Sequence, residues 1–307
     1  METIETTRDT INADTFAKDY SLALADAKNG HNKAALLRAV TVLEQAAQQG
    51  HHASLLPLAS ALLKLGEFAA ARTSLEQAVD HNVEGAQGKL YAAHASGSFG
   101  RLSQVKTAWV ALLKLAQNGD RTAQLAVLGL AESKGFPLPE DWALEDALLE
   151  RASGGDGTAA AAVLRHYRLV KRFRQARIME RMALLRHPKL PTFTRLEEAL
   201  HLAWDRDPAI FDKTAQKILN SGPATLFALG LQVIARINPN AYVRILQMEL
   251  RKLGYHPGRI SGYCYSHTRK AMARFCADHG LALAANAPPL SPLTVRSVST
   301  ALGQVRA

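Results

Sequence analysis

The chain has 307 residues, enough for two ordinary domains or for one elongated repeat array with a cap. Apolar residues make up 48% and aromatics only 6%, and alanine is abundant, a balance that suits stacked helices and argues against a sheet protein rich in β-branched and aromatic residues. The net charge of +10 favours anionic partners and carries no information about fold.

The opening residues, METIETTRDT, are polar and lack the hydrophobic core of a signal peptide. No apolar run approaches the roughly 20 residues that span a bilayer. The expectation is a cytoplasmic chain, or one whose leader or anchor lies outside this sequence.

After a polar segment at 1–19, residues 20–237 read as helix after helix, broken by Gly, Asn, Asp or Pro. Four segments look alike: LEQAAQQGHHASLL from Leu43, LEQAVDHNVEGAQGKL from Leu75, LLKLAQNGDRTAQLAVL from Leu112 and LLERASGGDGTAAAAVL from Leu148. Each has an apolar-periodic helix, a turn signal and an alanine-rich helix. The turn markers Gly50, Asn82, Gly119, Gly155, Pro188 and Gly222 are spaced by 32, 37, 36, 33 and 34 residues. Two helices of about 12 residues with their loops fill such a period. One such hairpin cannot bury its apolar face alone, whereas stacked hairpins share one continuous core and leave a groove. An irregular helical bundle with accidental spacing is the alternative.

The pattern Ala46-Ala47-x-x-Gly50 followed by Ala53 resembles the Sel-one-like branch of the tetratricopeptide repeats. Ala116, Gly119, Ala123, Leu128 and Gly129 follow it more loosely, and after about residue 165 the Ala and Gly signature is lost while the period persists. The resemblance implies an all-α solenoid of αα-hairpins that binds partner proteins in its groove and has no chemistry of its own.

Between Arg165 and Lys189 there are nine basic residues and one acid, Glu180, so a net of eight positive charges lies in this one segment. Arg165, Arg168 and Arg172 share one helix face, and Arg174, Arg177 and Arg181 another. Two readings stand: a solvated surface, or a docking strip for an acidic partner or an anionic polysaccharide. Only Tyr167 and Phe173 are interleaved with the charges, which disfavours single-stranded nucleic acid.

Asn238-Pro239 is a good N-cap followed by a good first helical residue. Val243, Leu246, Leu250 and Leu253 then form one apolar stripe that should end at Gly254. A loop with the turn pair Pro257-Gly258 leads to a second helix from about His267, with Thr268, Ala271, Met272 and Phe275 inward. The run Leu253-Gly254-Tyr255-x-Pro257-Gly258, with Gln247, Ile260, Gly262, Thr268, Ala271 and Phe275, resembles the three-helix peptidoglycan-binding domain of bacterial wall proteins. The resemblance covers about 240–283 and gives an expected domain at 238–283. The family's Asp-Gly-x-Phe-Gly loop is here Ser261-Gly262-Tyr263-Cys264-Tyr265, so the loop departs where the helices do not.

Were glycan bound, Tyr263 and Tyr265 would stack on sugar faces, and Arg259 and Arg269 would pair with stem-peptide carboxylates beside Ser261. Ordinary loop packing of the tyrosines is the alternative. Seven basic and two acidic residues give this stretch a net +5, which suits an anionic wall polymer.

Pro288, Pro289 and Pro292 mark a linker in 284–307, followed by Val295, Val298, Leu302 and Val305 at helical spacing. The string Cys264, His267, Cys276, His279 suggests zinc, but His267 and Cys276 lie about 13 Å apart along one helix, too far for a tetrahedral site. The same separation disfavours a Cys264–Cys276 bridge. His51-His52 reads as a solvated turn. No nucleophile elbow, phosphate-binding loop or His-Glu-x-x-His motif occurs.

The expectation is therefore an all-α chain without enzymatic activity, cofactor or metal. It is an αα-hairpin solenoid with a small three-helix C-terminal domain, acting as a cell-envelope scaffold in the periplasm. An accessory protein that binds an anionic polysaccharide, or a cytoplasmic adaptor that has lost glycan binding, is the alternative.

Overall fold

The computed structural model describes residues 17–27, 32–100, 102–139, 142–169, 176–222, 224–282, 284 and 287–306. Among them there are helices and turns and no strand. No helix of the described residues is long and apolar enough to cross a membrane. The chain forms two compact units, residues 1–144 and 145–307.

The first unit holds α1 (17–27), α2 (Lys33–Gln48), α3 (Leu55–Leu65), α4 (Phe68–Asp80), α5 (Ala86–Ala95), α6 (Leu102–Gln117) and α7 (Arg121–Lys134). From α2 onward each helix packs on the next, and α5 also packs on α7. Chain neighbours pack because short connections of this kind leave little reach to anything else.

The second unit begins with α8 (Leu144–Ser153), whose Leu144 is the last residue of the first. It continues through α9 (Gly157–Leu169), α10 (Ile178–Leu185), α11 (Thr192–Arg206), α12 (Phe211–Ser221), α13 (Ala224–Ile237), α14 (Pro239–Lys252), α15 (Ser266–Asp278) and α16 (Pro292–Arg306).

Four of the six sequence markers close their helix in one way. Gly50, Asn82, Gly119 and Gly155 all have positive φ, between 52° and 94°. In each case the marker's N–H donates three residues back, as Gly50 does to Ala47, and the following N–H donates five residues back, as His51 does to Ala46. This double bond satisfies the last carbonyls of the helix, and its left-handed residue costs glycine least and asparagine little. Seven residues before each marker stands a leucine, and Leu43, Leu75, Leu112 and Leu148 are all at most 1% exposed. Four residues after each marker stands a small buried residue: Ser54, Ala86, Ala123 and Ala159. The last two markers differ. Gly222 is extended, at φ −85° and ψ 167°, and Pro188 has no amide hydrogen to donate.

Asn238 caps α14 as its sequence position suggests, accepting from the amides of Asn240 and Ala241 at 3.0 and 3.2 Å. The inward residues of α15, Thr268, Ala271, Met272 and Phe275, are buried. The cores of α14 and α15 are continuous with those of α11–α13 and α16, so Tyr242, Leu246 and Phe275 share a cluster with Leu200, Leu231 and Val298. α16 packs along α13, burying Val295, Val298 and Leu302. Arg306 fixes its end, reaching Asn220 Oδ1 at 2.8 Å and lying 4.3 Å from the centre of the Phe227 ring.

Candidate functional site

A polar site lies in the second unit, on the loop between α14 and α15. One buried side chain organises this loop. The Gln247 amide donates to Tyr263 O at 3.0 Å and to Thr268 Oγ1 at 2.9 Å. Its carbonyl oxygen accepts from the amides of Ser261 and Gly262 at 2.9 and 3.0 Å. Both donors and both lone pairs are thus used. Thr268 continues the network by donating to Pro257 O at 3.0 Å. The Arg251 guanidinium binds Gly258 O from the other side. Gly262 sits at φ +82°, and a Cβ there would stand 2.9 Å from Asn240 O, so the loop approaches the N-terminus of α14 as only glycine allows.

This clamp presents the loop's side chains to solvent. Tyr263 and Tyr265 are 54% and 63% exposed, with ring centres 5.8 Å apart and planes inclined by 36°. Arg259 and Arg269 are exposed as well. Beside them lies a cleft of about 190 Å³, lined by Pro208, Ala209, Asp212, Asn238, Asn240, Ala241, Arg244, Ser261, Gly262 and Tyr263. Arg244 pairs with Asp212 at 3.0 Å across it. The site therefore offers aromatic faces, amide and hydroxyl groups and cations that are partly exposed. That set suits a hydroxyl-rich ligand bearing carboxylates.

Of the five residues singled out from sequence, Ser261 and Tyr263 line the cleft, and Arg259, Tyr265 and Arg269 lie on the same loop or at the start of α15. Sequence reasoning missed Arg244, Asp212 and Asn240. Arg244 lies three residues before Gln247 on one helical face, a spacing that can be read from sequence. Asp212 comes from α12 and only tertiary packing brings it near.

The basic segment is placed differently from the strip drawn on helical periodicity. Arg181 is fully buried, donating from Nε to Glu198 Oε1 at 2.6 Å and from Nη1 to Asp205 Oδ2 at 2.7 Å. Arg168 pairs with Glu197 at 3.1 Å and Glu198 at 3.5 Å. Arg177 pairs with Glu145 at 3.4 Å and Glu180 at 3.0 Å. These three arginines neutralise the protein's own acids, most of them from α11, and Arg181 is closed to any partner. Arg165 is exposed, and Arg172 and Arg174 lie outside the described residues. Tyr167, an aromatic near these charges, is buried with its hydroxyl 2.6 Å from Glu145. Burial pushes the Glu198 carboxyl above the usual range, with Arg181 and Arg168 opposing it.

Cys264 and Cys276 are free thiols, and burial raises both pKa values; for Cys264 the Arg269 charge opposes the shift. Among the described residues no group of three or more His, Cys, Asp or Glu side chains is placed to hold a metal ion. His52, read as part of a solvated turn, stacks on His81 with ring centres 3.6 Å apart.

No family model, curated protein or solved structure matches this chain.

Proposed function

We propose that the chain is a non-enzymatic scaffold of the bacterial cell envelope. Stacked αα-hairpins bind partner proteins, and the 238–283 module attaches the assembly to peptidoglycan in the periplasm. The observation that carries this reading is the Gln247 clamp. It spends a fully buried amide on holding a loop whose own large side chains, Tyr263 and Tyr265, remain in water. Pre-organising an exposed aromatic and basic loop lowers the ordering cost of binding a flexible polymer. The matching helix closures at Gly50, Asn82, Gly119 and Gly155 support the repeat reading, because equal local geometry recurs at near-equal spacing.

The test is co-sedimentation of the full chain with insoluble peptidoglycan. Wild type should pellet, and the double variant Tyr263→Ala, Tyr265→Ala should stay in solution with an unchanged circular dichroism spectrum. Gln247→Ala should weaken retention by loosening the loop while all the contact residues are still present. If wild type and the double variant distribute alike, wall attachment through this loop is wrong. The alternative of an anionic polysaccharide held by the 165–189 segment loses support from the internal pairing of Arg168, Arg177 and Arg181.

A further inference from the structure

In the first unit a groove of about 380 Å³, open to solvent, runs between α3, α4, α5 and α7. Its walls are small or apolar: Ala59, Leu63, Ala92, Ala126 and Gly129 are representative. One lining residue is charged, Lys89 on α5. No acidic residue lines the groove, and no ion pair or side-chain hydrogen bond holds the Lys89 ammonium among the described residues. The serines on the wall do not supply a counter-charge, and their hydroxyls are already engaged: Ser60 donates to Leu56 O, and Ser96 to Ala93 O.

Lys89 is half-buried against small and apolar walls, and no carboxylate lines the groove beside it. Other charges in the molecule are treated differently. The buried Arg181 has two carboxylates, and the half-exposed Arg244 has one. Burial also depresses Lys89 below the ordinary lysine value, and no neighbouring acid offsets the shift.

We propose that this groove docks a helical segment of a partner protein carrying one Asp or Glu side chain among small apolar ones, with the carboxylate pairing to Lys89. Small wall residues let a helix backbone come close, and an amphipathic helix laid in an apolar groove is a common recognition mode. The single flexible ammonium fits a side-chain carboxylate. A chain-terminal carboxylate would call for a second fixed donor, and the wall hydroxyls are already bonded. The proposal rests on the scaffold reading and assigns the chemistry of the partner.

The experiment uses the full chain and synthetic amphipathic helices of about 18 residues, long enough to hold helix. They share an Ala/Leu face with one central Glu, Gln or Lys, and a fourth has the Gln face and a free C-terminal carboxylate. Fluorescence anisotropy gives the affinities. Wild type should bind the Glu peptide about tenfold or more tightly than the Gln peptide. Lys89→Met should remove that difference, and Lys89→Glu should transfer the preference to the Lys peptide. Ala126→Phe, which fills the groove and leaves Lys89 in place, should weaken all the peptides. The proposal is overturned if the Glu peptide does not bind, if wild type does not discriminate Glu from Gln, if Lys89→Met still discriminates, or if the C-terminal carboxylate serves as well. Peptidoglycan retention of the same variants should equal that of wild type. Loss of retention in wild type with peptide discrimination intact would remove wall attachment and leave the groove assigned.

Discussion

The helices α2–α7 and the helices α9–α11 solve the same packing problem with different chemistry. In the first group leucine and alanine fill the core: Leu43, Leu75 and Leu112 are buried, and so are Ala46, Ala78 and Ala116, three or four residues further along the same helices. In the second, buried charge replaces part of that apolar contact, with Arg181 and Arg168 reaching Glu197, Glu198 and Asp205 on α11. Apolar packing tolerates small shifts because it has no direction. A buried ion pair tolerates almost none, since each charge must keep its partner or bear its desolvation.

Deleting one member on each side should therefore separate the two regions. Arg181→Met removes the cation that Glu198 and Asp205 share, leaving Glu198 only the longer contact to Arg168, and should cost about 3–5 kcal/mol in urea unfolding followed by circular dichroism. Replacing the network as a whole, with Glu198→Leu and Asp205→Leu added, should recover most of that loss; no recovery would mean that the network does more than neutralise itself. Leu112→Ala should cost about 3 kcal/mol, through lost transfer energy and a cavity. A cost for Leu112→Ala above that for Arg181→Met would invert the comparison.

Smaller effects come from the turns. Gly119 is left-handed with open space where a Cβ would stand, so Gly119→Ala should cost about 1 kcal/mol through backbone strain alone. Gly222 marks the same period but is extended, at φ −85°. There Gly222→Ala should be neutral or stabilise by about 0.5 kcal/mol, through the reduced entropy of the unfolded chain. Equal responses at the two glycines would mean that their differing backbone geometry has no energetic consequence.

Much of the local architecture was legible. The spacing of Gly50, Asn82, Gly119 and Gly155 located four helix ends, Asn238-Pro239 the start of α14, and the Thr268 to Phe275 periodicity the buried face of α15. For the site, the exposed tyrosines and arginines of the loop were legible, while Asp212 was not and the clamping role of Gln247 was visible only as a motif match. The clearest misreading was of Arg181, whose spacing set it with Arg174 and Arg177 on a basic helical face and which is fully buried.

Helix ends, caps and faces were determined by the sequence itself, because the forces that set them act within about one or two turns of chain. Which face meets which was decided only in three dimensions. Arg181 finds Glu198 and Asp205 seventeen and twenty-four residues away, and Arg244 finds Asp212 on another helix, because packing α10 on α11 and α14 on α12 puts those groups within reach. Helical periodicity lists the faces of a segment, but a charge turned toward water and a charge turned toward a buried carboxylate share the same periodicity.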